Sequence, residues 1–592
     1  MNHSLKTAKL LTVPLLSLVL QTNTFGQGIS LENLSQFKSP STNWQIVGGV
    51  QADFQKKENL TATNGKGILA NLPQKGKQAL DIYTNLEHGD ADIEFEFMMA
   101  KESNSGIYLQ GRYEIQLLDS WGKSKPTSGD LGGVYERADP TTEKGFEGYA
   151  PRVNAARVPG VWQKMKISFQ APRFDAAGKK IANAKLLNVT VNGQTVHENI
   201  ELTGPTRGPM SLTEVARGPL RIQGDHGPVA IRNLSINTFD NEKPTFSSLN
   251  YSVHDGRVVN TEELKGFKAT SEGKVTAVAH SVTDLTNNYV VKYEGKLRVP
   301  VAGKYKFNGV FHGGYGDLKV NNKAVIPFAW WENSGEVELP AGDVPFTYTY
   351  SKVNEGDKPS LGLFIEGPGI RPVALHENGS LRVSGGSNPI LLHVGNETLV
   401  HRSFINFKGK TLPYGVSVGD KDGINYSMNL ANGSIIRTWR GDFLNTTPMW
   451  NDRGNGTSIP LGSSLNLDDK QQIVKVAGKE ANEFKLTGYT VNADNTPTFT
   501  YEWNGAKFED VSTADASKKY LERTVKSSAN EFTFELAKGK EITSLGNNKY
   551  LVDGQYYIQI AKGGTPTIAD KDGQRSLTVE VRGQSLNYAI IW

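Results

Sequence analysis

From residue 28 onward, the chain consists of short segments in which apolar and polar residues alternate. Clear examples are residues 91–97 (ADIEFEF), 161–169, 186–191 and 297–307, which are rich in β-branched and aromatic residues. Gly, Asn, Asp and Pro interrupt these segments at intervals of roughly 8–12 residues, which is typical of turns between strands. Because successive side chains of a strand point to opposite faces, the alternation predicts half-buried strands. The sequence therefore predicts an all-β protein built from sandwiches or barrels.

The length of the chain predicts more than one domain. A chain of 592 residues is too long for a single hydrophobic core, and a rule of about 150–200 residues per domain predicts three. We expect the first domain to span residues 28–240, followed by a polar linker at residues 240–244. The second is expected over residues 245–378. A Gly- and Ser-rich stretch at residues 384–387 separates it from a β-rich third domain of unknown role over residues 388–592.

The N-terminus is typical of an export signal. Lys6 and Lys9 precede an apolar run at residues 10–20, and residues 24–26 end in the small residue Gly26. This predicts a signal peptide over residues 1–27 and an exported protein, periplasmic or secreted. The apolar run is shorter than the ~20 residues of a membrane-spanning helix. No later segment approaches that length, so we expect no membrane span.

Composition excludes some chemistry and some partners. The chain has no cysteine, which excludes disulfides, zinc–thiolate sites and thiol nucleophiles. Its formal net charge is +4, with both signs mixed along the sequence. Because no basic stripe interleaves with aromatic residues, nucleic acid is not an expected partner.

The most informative segment is residues 105–122 (SGIYLQGRYEIQLLDSWG). Its even positions carry Tyr108, Gln110, Arg112, Glu114 and Gln116, whereas the odd positions up to 117 are almost all apolar. Read as one strand, the segment has one face packed in a core and one polar face. Amides, a guanidinium, a carboxylate and a phenol suit a groove that binds hydroxyl groups. An ordinary solvent-facing surface is the alternative interpretation.

The end of this segment resembles the E-x-D-x-x-E strand of bacterial glucanases. Here Gln116 replaces the middle acid, and Asp119 replaces the last one. Glu114 and Asp119 have opposite parity on a strand, so only a β-bulge would align them. A retaining glycosidase needs its two carboxyls about 5–5.5 Å apart. An ordinary endo-glycosidase using Glu114 and Asp119 is therefore one alternative function.

A series of further motifs is more specific. In chain order they are residues 133–135 (GVY), 160–163 (GVWQ), 171–175 (APRFD), 191–193 (VNG), 196–199 (VHEN), 204–206 (GPT) and 218–227 (GPLRIQGDHG). With these motifs and residues 105–122, the chain resembles the 3-keto-disaccharide hydrolase family. The resemblance implies a concanavalin A-like jelly-roll sandwich over residues 28–240. It also implies an enzyme that cleaves 3-keto-glycosides by deprotonation at carbon 2, elimination of the aglycone and hydration. The implied partners are a carbohydrate substrate and an upstream sugar-oxidising enzyme.

Such chemistry needs a general base, a donor for the enolate oxygen and an acid for the leaving group. Glu114 and His226, which lies in a Gly-flanked loop, are the predicted catalytic residues; an imidazole with a pKa near 6.5 suits base or acid work. A turn histidine is the alternative reading of His226. The predicted substrate-binding residues are Tyr108, Gln110, Arg112, Gln116, Asp119, Trp121, Tyr135 and Gln223.

No cofactor follows from the sequence, because no cluster has the spacing of metal ligands. A single divalent cation held by Glu114, a glutamine and His226 stays open. The alternative from another functional class is a non-catalytic carbohydrate-binding protein, in which the polar face only holds glycans.

The two later domains carry weaker signals. Residues 291–307, 313–322 and 336–342 are similar to the protective-antigen-type β-sandwich, which implies a glycan-binding module. Of the paired aspartates that such modules use, only Asp317 is present. Trp330 and Trp331 are either sugar-stacking residues or a core corner. In the third domain, residues 439–443 (WRGDF) predict either a sugar-stacking pocket, together with Trp450 and Arg453, or an ion pair between Arg440 and Asp442.

Overall fold

The computed structural model describes residues 27–260, 263, 267–382, 388–450, 456–470, 472–571 and 573–592. The predicted signal peptide lies outside the described residues except for Gln27. The Gly/Ser stretch at residues 384–387 and Arg453 lie outside them entirely. Within the described ranges, no helix has the length and apolar character needed to cross a membrane. These ranges are almost entirely β, as the alternating pattern predicted.

The first group of strands ends before residue 240, and a short 3₁₀ helix, Leu34–Gln36, follows its first strand. Its strands are β1 Gln27–Gly28, β2 Phe37–Lys38, β3 Trp44–Ala52, β4 Leu60–Asn71, β5 Ile82–His88, β6 Ala91–Met99, β7 Asn104–Leu109, β8 Tyr113–Leu118, β9 Arg137–Ala138, β10 Gly145–Phe146, β11 Gln163–Gln170, β12 Arg173–Phe174, β13 Lys180–Ala182, β14 Ala184–Val191, β15 Gln194–Leu202, β16 Gly218–Ile222 and β17 Val229–Thr238.

Two antiparallel sheets of this group pack face to face. In the described residues, the larger sheet has the order β15-β14-β11-β6-β17-β4-β3, with β1 beside β17, and the smaller has the order β2-β5-β16-β7-β8. Their inner faces share one hydrophobic core, to which Phe95, Phe97, Ile107 and Ile115 contribute with at most 1% exposure. The alternating residues of each strand divide between this core and the outer faces. The outer face of the smaller sheet is where the polar residues of β7 and β8 lie.

The second group follows residue 244 and includes a 3₁₀ helix, His280–Val282. Its strands are β18 Thr245–Asp255, β19 Ser271–Lys274, β20 Tyr289–Val299, β21 Gly303–Val320, β22 Lys323–Leu339, β23 Gly342–Lys352, β24 Ser360–Gly367 and β25 Ile370–Ala374. In the described ranges they form an antiparallel sheet with the order β19-β18-β20-β23-β21-β24-β25, and β22 pairs with β21. The long strand β21 pairs with β24 over its first half and with β23 over its second half. This group of strands has a hydrophobic core of its own.

The third group contains three sheets and the short helix α1, Thr447–Trp450. Its strands are β26 Leu391–Leu392, β27 Leu399–Phe407, β28 Lys410–Gly419, β29 Ile424–Asn429, β30 Ser434–Asn445, β31 Ile459–Asn466, β32 Ile473–Val476, β33 Lys479–Glu480, β34 Phe484–Val491, β35 Pro497–Trp503, β36 Ala506–Ala514, β37 Leu521–Ser527, β38 Glu531–Gly539, β39 Ile542–Ser544, β40 Lys549–Val552, β41 Tyr556–Lys562, β42 Thr565–Lys571, β43 Gln574–Arg582 and β44 Ser585–Ile591. An ion pair between Arg523 and Asp510 (2.6 Å), both fully buried, lies in its interior.

Candidate active site

Residues 105–122 fold into a hairpin, so the prediction of one continuous strand is wrong. Strands β7 and β8 pair antiparallel, with Leu109 opposite Tyr113. The three residues between them form the turn, in which Gln110 (φ 52°) and Gly111 (φ 68°) have left-handed backbone conformations. Glycine adopts this conformation without strain, and a three-residue hairpin loop commonly contains it. The turn places Tyr108 directly opposite Glu114.

A row of polar and aromatic side chains crosses the outer face of the smaller sheet. Tyr83 on β5, Arg221 on β16, Tyr108 on β7 and Glu114 on β8 are successive register partners. Tyr135 continues the row, because its backbone N–H donates to the carbonyl oxygen of Glu114 (3.2 Å). Since cross-strand partners point to the same face, these five side chains are neighbours. They form the candidate site.

Glu114 is the central ionisable group of this row. It is 1% exposed, and burial raises its pKa to about 8. The Tyr108 hydroxyl and the Arg221 guanidinium act in the opposite direction, and the charges of Asp81 and Asp225 add to the rise. A carboxyl that changes protonation near neutral pH is suited to proton transfer, which an ordinary carboxylate performs less well.

Gly106 leaves the space that the Glu114 carboxyl occupies. Gly106 lies opposite Gln116, one position along from the Tyr108–Glu114 pair. A Cβ atom at Gly106 would lie 2.1 Å from Oε1 of Glu114, far inside van der Waals contact. Any other residue at position 106 would therefore displace the carboxyl.

Four buried oxygen atoms on this face have no hydrogen-bond partner within the described residues. They are Oδ1 of Asn104 and Oε1 of Glu114, Gln116 and Gln223. All four residues lie around Gly106, since the Gln223 N–H donates to the Gly106 carbonyl (2.9 Å) and Asn104 lies two residues before it. Buried acceptors without partners are costly and rare. Hydroxyl groups of a ligand would satisfy them.

Arg221 is held in place while keeping one donor free for a ligand. Its Nη2 pairs with Asp81 Oδ2 (2.6 Å), and its Nη1 donates to the Gly208 carbonyl (2.5 Å). The guanidinium lies 4.1 Å from the centre of the Tyr108 ring. Its Nε is buried without a partner in the described part of the chain. The site thus contains a fixed cation with an N–H group beside Tyr108 and Glu114.

Residues 33–237 match the family model of the 3-keto-alpha-glucoside-1,2-lyase-like domain. This part of the chain belongs to that family. The match confirms the family expected from the motifs and, with it, the concanavalin A-like sandwich. It also gives the lyase-like domain a carbohydrate-active, hydrolase-type character.

Two solved structures that are similar to part of the chain come from Parabacteroides distasonis ATCC 8503. One, described as a "putative glycosyl hydrolase", is 25% identical, with a TM-score of 0.26, and the match covers 36% of this chain and 83% of that one. A second with the same description is 17% identical, with a TM-score of 0.24, and covers 36% and 98%. No curated protein sequence matches the chain. Because both TM-scores are below 0.5, the family assignment rests on the residues matched in 33–237.

Two predicted sugar-binding residues of the lyase-like domain lie at the hairpin tip and hold loops. Gln110 Nε2 donates to the carbonyls of His88 (3.2 Å) and Ala216 (2.9 Å). Arg112 Nε donates to the Thr213 carbonyl (2.6 Å), and the residue is 6% exposed. Both side chains bind backbone, and the structure does not bring them into the row around Glu114. Tyr108 and Tyr135 lie in that row, and Gln116 and Gln223 lie beside it, around Gly106.

Asp119 and Trp121 lie beyond the end of β8. Asp119 Oδ2 accepts the Glu102 N–H (2.8 Å) and its Oδ1 accepts the Trp121 N–H (3.3 Å), so this carboxylate supports a turn. Trp121 contacts the third group of strands, where its Nε1 donates to the Trp592 carbonyl (2.8 Å). The Arg440 guanidinium lies 5.6 Å from the Trp121 ring.

The predicted Arg440–Asp442 ion pair is wrong. Asp442 Oδ2 instead lies 2.5 Å from Nδ1 of His393. Arg440 donates to the Lys519 carbonyl and lies near the rings of Trp121 and Trp592. These neighbours of Arg440 lie far away in sequence, in the first group of strands and near the end of the chain. A local sequence pattern does not predict such contacts.

His226 lies at the rim of the site. Its side chain is 52% exposed, and its Nδ1 lies 2.5 Å from Asp225 Oδ1. Its backbone carbonyl accepts the Asn104 N–H (3.3 Å), which fixes the loop beside one of the unpartnered acceptors. The pairing with Asp225 orients the ring, as carboxylate partners of catalytic histidines do.

Sequence reasoning missed Arg221, Tyr83, Asp81 and Asn104. The alternation in residues 220–223 (LRIQ) could have predicted Arg221, because Arg221 has the same parity as Gln223, which was a predicted substrate-binding residue. Tyr83 and Asp81 enter the site only through the pairing of β5 with β16. No group of three or more His, Asp or Glu side chains in the described residues has the arrangement of a metal site.

Proposed function

We propose that the lyase-like domain cleaves 3-keto-glycosides by elimination and hydration, with Glu114 as the general base. In the first step the base removes the hydrogen on carbon 2, and the electron pair moves into the enolate of the carbon 3 ketone. The enolate then expels the aglycone from carbon 1, which leaves an enone. Water adds at carbon 1 while carbon 2 takes a proton back, and the products are the 3-keto sugar and the free aglycone.

The observation that carries this proposal is the buried Glu114 carboxyl within a ring of unpartnered acceptors. Its raised pKa, about 8, makes the ionised form a stronger base than an ordinary carboxylate. The unpartnered oxygens of Asn104, Gln116 and Gln223 would accept sugar hydroxyls and hold the ring.

The enolate oxygen and the leaving group need donors. Nε of Arg221, which has no other partner in the described residues, and the Tyr108 hydroxyl lie beside Glu114 and would stabilise the enolate. His226, oriented by Asp225 at the rim, would donate a proton to the departing aglycone.

The deciding experiment compares a 3-keto-glycoside with its unoxidised parent. Cleavage of the keto form alone supports the proposal. Cleavage of the parent would instead support an endo-glycosidase using Glu114 and Asp119, and binding of either compound without turnover would support a carbohydrate-binding protein. Glu114→Gln should abolish turnover. The matched control is Glu198→Gln, the same change at a side chain that is 53% exposed on the other sheet.

The pH profile tests the role of Glu114. Because only the carboxylate form is a base, kcat/KM should rise with pH and level off above about 8. Initial rates on a 3-keto-glycoside between pH 5 and pH 10 measure this. A profile that falls as pH rises through 8 would assign Glu114 as an acid and refute its proposed role.

We also propose that the protein is exported, to the periplasm or beyond, and that its substrate is supplied by an enzyme oxidising the hydroxyl on carbon 3. The export proposal rests on residues 1–27 of the sequence. Fusing these residues to a reporter that is active only outside the cytoplasm tests it, and a reporter that stays inactive would contradict it.

A further inference from the structure

A cluster of aromatic rings lies on the surface of the second group of strands. His312 and Tyr315 on β21 and Phe328, Trp330 and Trp331 on β22 form a continuous series of ring contacts, here called the aromatic platform. Adjacent ring centres are 4.5 Å apart for His312–Trp331, 6.3 Å for Trp331–Trp330, 4.9 Å for Trp330–Tyr315 and 5.4 Å for Tyr315–Phe328. Trp330 is 43% exposed and Trp331 37% exposed. The two tryptophans therefore do not form a core corner.

The backbone of the platform is irregular. Trp331 has a φ of 71°, a left-handed conformation that bulky residues rarely adopt. It lies opposite Phe311, where the pairing of β21 with β22 shifts and β21 changes partner from β24 to β23. Such irregularities in a sheet re-aim side chains and are common at binding sites. Here the irregularity places both indoles at the surface.

A buried acceptor lies beside the platform. Asp317 follows Tyr315 by two residues on β21 and so points to the same face. It is 5% exposed, and its Oδ1 has no hydrogen-bond partner within the described residues. The Thr349 side chain hydrogen-bonds the same carboxyl, and Oδ1 is the oxygen that is left for a ligand hydroxyl. This unpartnered oxygen is independent of the ring contacts, and it also indicates a ligand.

The chemistry of the platform favours a sugar over a protein partner. Residues 303–374 are all described, and the exposed large apolar side chains among them are Trp330 and Trp331. No leucine, isoleucine, valine or methionine in this range is exposed to that extent. Their neighbours are polar, since Asn308 Nδ2 donates to Glu332 Oε1 (3.2 Å) next to Trp331. Aromatic faces flanked by polar groups match the apolar face and hydroxyl edge of a pyranose ring.

We propose that the aromatic platform is a non-catalytic glycan-binding site, in which a pyranose ring stacks on Trp330 and Trp331 and a hydroxyl donates to Asp317. The choice of a glycan as occupant rests on the carbohydrate-active family of residues 33–237. Ring stacking and the hydroxyl contact do not require a ketone on the sugar, so unoxidised polysaccharide is the expected ligand. Its role is to keep the protein on a polymer while the lyase-like domain acts.

Affinity electrophoresis of the full chain tests this proposal. Native gels contain a soluble β-glucan, a dextrin, a xylan or a galactomannan, and the protein carries Glu114→Gln so that turnover is absent. At least one polysaccharide should retard migration, and Trp330→Ala and Trp331→Ala should each weaken binding about tenfold or more, as expected for an aromatic anchor. Tyr414→Ala is the control for loss of an exposed aromatic side chain, because Tyr414 is 62% exposed in the third group of strands.

Two further variants separate binding from folding. Trp330→Phe keeps a ring and should retain part of the affinity that Trp330→Ala loses. Asp317→Asn keeps the size of the side chain. It should weaken binding while the protein stays folded and its thermal unfolding midpoint does not rise.

Three results would overturn the proposal. The first is the absence of retardation by all four polysaccharides, and the second is unchanged retardation in both alanine variants. The third is a concentration-dependent dimer in sedimentation equilibrium that Trp330→Ala dissolves, which would assign the platform to a second copy of the chain. Because the probes are unoxidised and the protein is inactive, none of these results depends on whether 3-keto-glycosides are cleaved.

Discussion

Replacing Glu114 by Gln should remove a pH-dependent loss of stability from the lyase-like domain. Burial raises the pKa of this carboxyl from its ordinary value of 4.5 to about 8. Between these two values the folded state keeps a proton that the unfolded state has released. The free energy of unfolding therefore falls as pH rises through this window.

The size of the effect follows from the two pKa values. Each unit of difference corresponds to about 1.4 kcal/mol. Over the whole window, the wild type should lose roughly 4–5 kcal/mol of stability that the Gln variant does not lose. Below pH 4.5 both states of the wild type are protonated, so the two proteins should have similar stability there. The difference should be complete above pH 8.

The assay must follow this domain separately, because the chain has several cores and a single unfolding transition is not defined for it. Pulsed hydrogen exchange, read by mass spectrometry on peptides covering β7 and β8, reports local protection as a function of urea. Unfolding curves at pH 5, 7 and 9, all labelled at one fixed pH, give the stability difference. Glu198→Gln, at an exposed side chain, should follow the wild type. Parallel pH dependence in the wild type and Glu114→Gln would refute the reasoning.

Three other substitutions test separate parts of the structure. Gly106→Ala places a Cβ 2.1 Å from the Glu114 carboxyl; kcat/KM on a 3-keto-glycoside should fall about tenfold or more with an unchanged circular dichroism spectrum. Arg523→Met leaves the buried carboxylate of Asp510 without its cationic partner, although the Tyr501 hydroxyl still donates to it; the loss should cost about 3–5 kcal/mol in urea unfolding of residues 507–527. Arg371→Ala removes a guanidinium that donates to four acceptors of the lyase-like domain; small-angle scattering should show a larger radius of gyration, and an unchanged radius would contradict this role.

The all-β fold could be predicted because alternation is a property of each strand by itself. The hairpin of β7 and β8 could not be recognised by the same property. Its turn has three residues, so Tyr108 and Glu114 have the same parity whether the segment is one strand or two. On one strand their Cα atoms would lie about 20 Å apart, whereas in the hairpin they are register partners. Gly111, in a left-handed conformation, was the local sign of the turn.

The candidate site was predicted where its residues are local and missed where distant pairing creates it. Glu114 and Gln116 belong to one strand, and parity alone placed them on one face. Gln110 and Arg112 have the same parity, but their side chains bind backbone carbonyls about a hundred residues away, at Ala216 and Thr213. No local pattern encodes those partners. Arg221 and Tyr83 enter the site for the corresponding reason, through strand pairing across the sheet.

Both proposed sites have a buried oxygen without a partner on the outer face of a sheet. At Gly106 the missing side chain gives the Glu114 carboxyl its space, and at Trp331 a left-handed residue re-aims an indole. A chain optimised for stability alone would relax the backbone at Trp331 and give these buried oxygens hydrogen-bond donors. Retaining these unfavourable features at the positions where a sugar could bind is expected when ligand contacts offset their cost. Ligand should therefore stabilise each site separately, and separate stabilisation of the two is the expected sign of two independent sites.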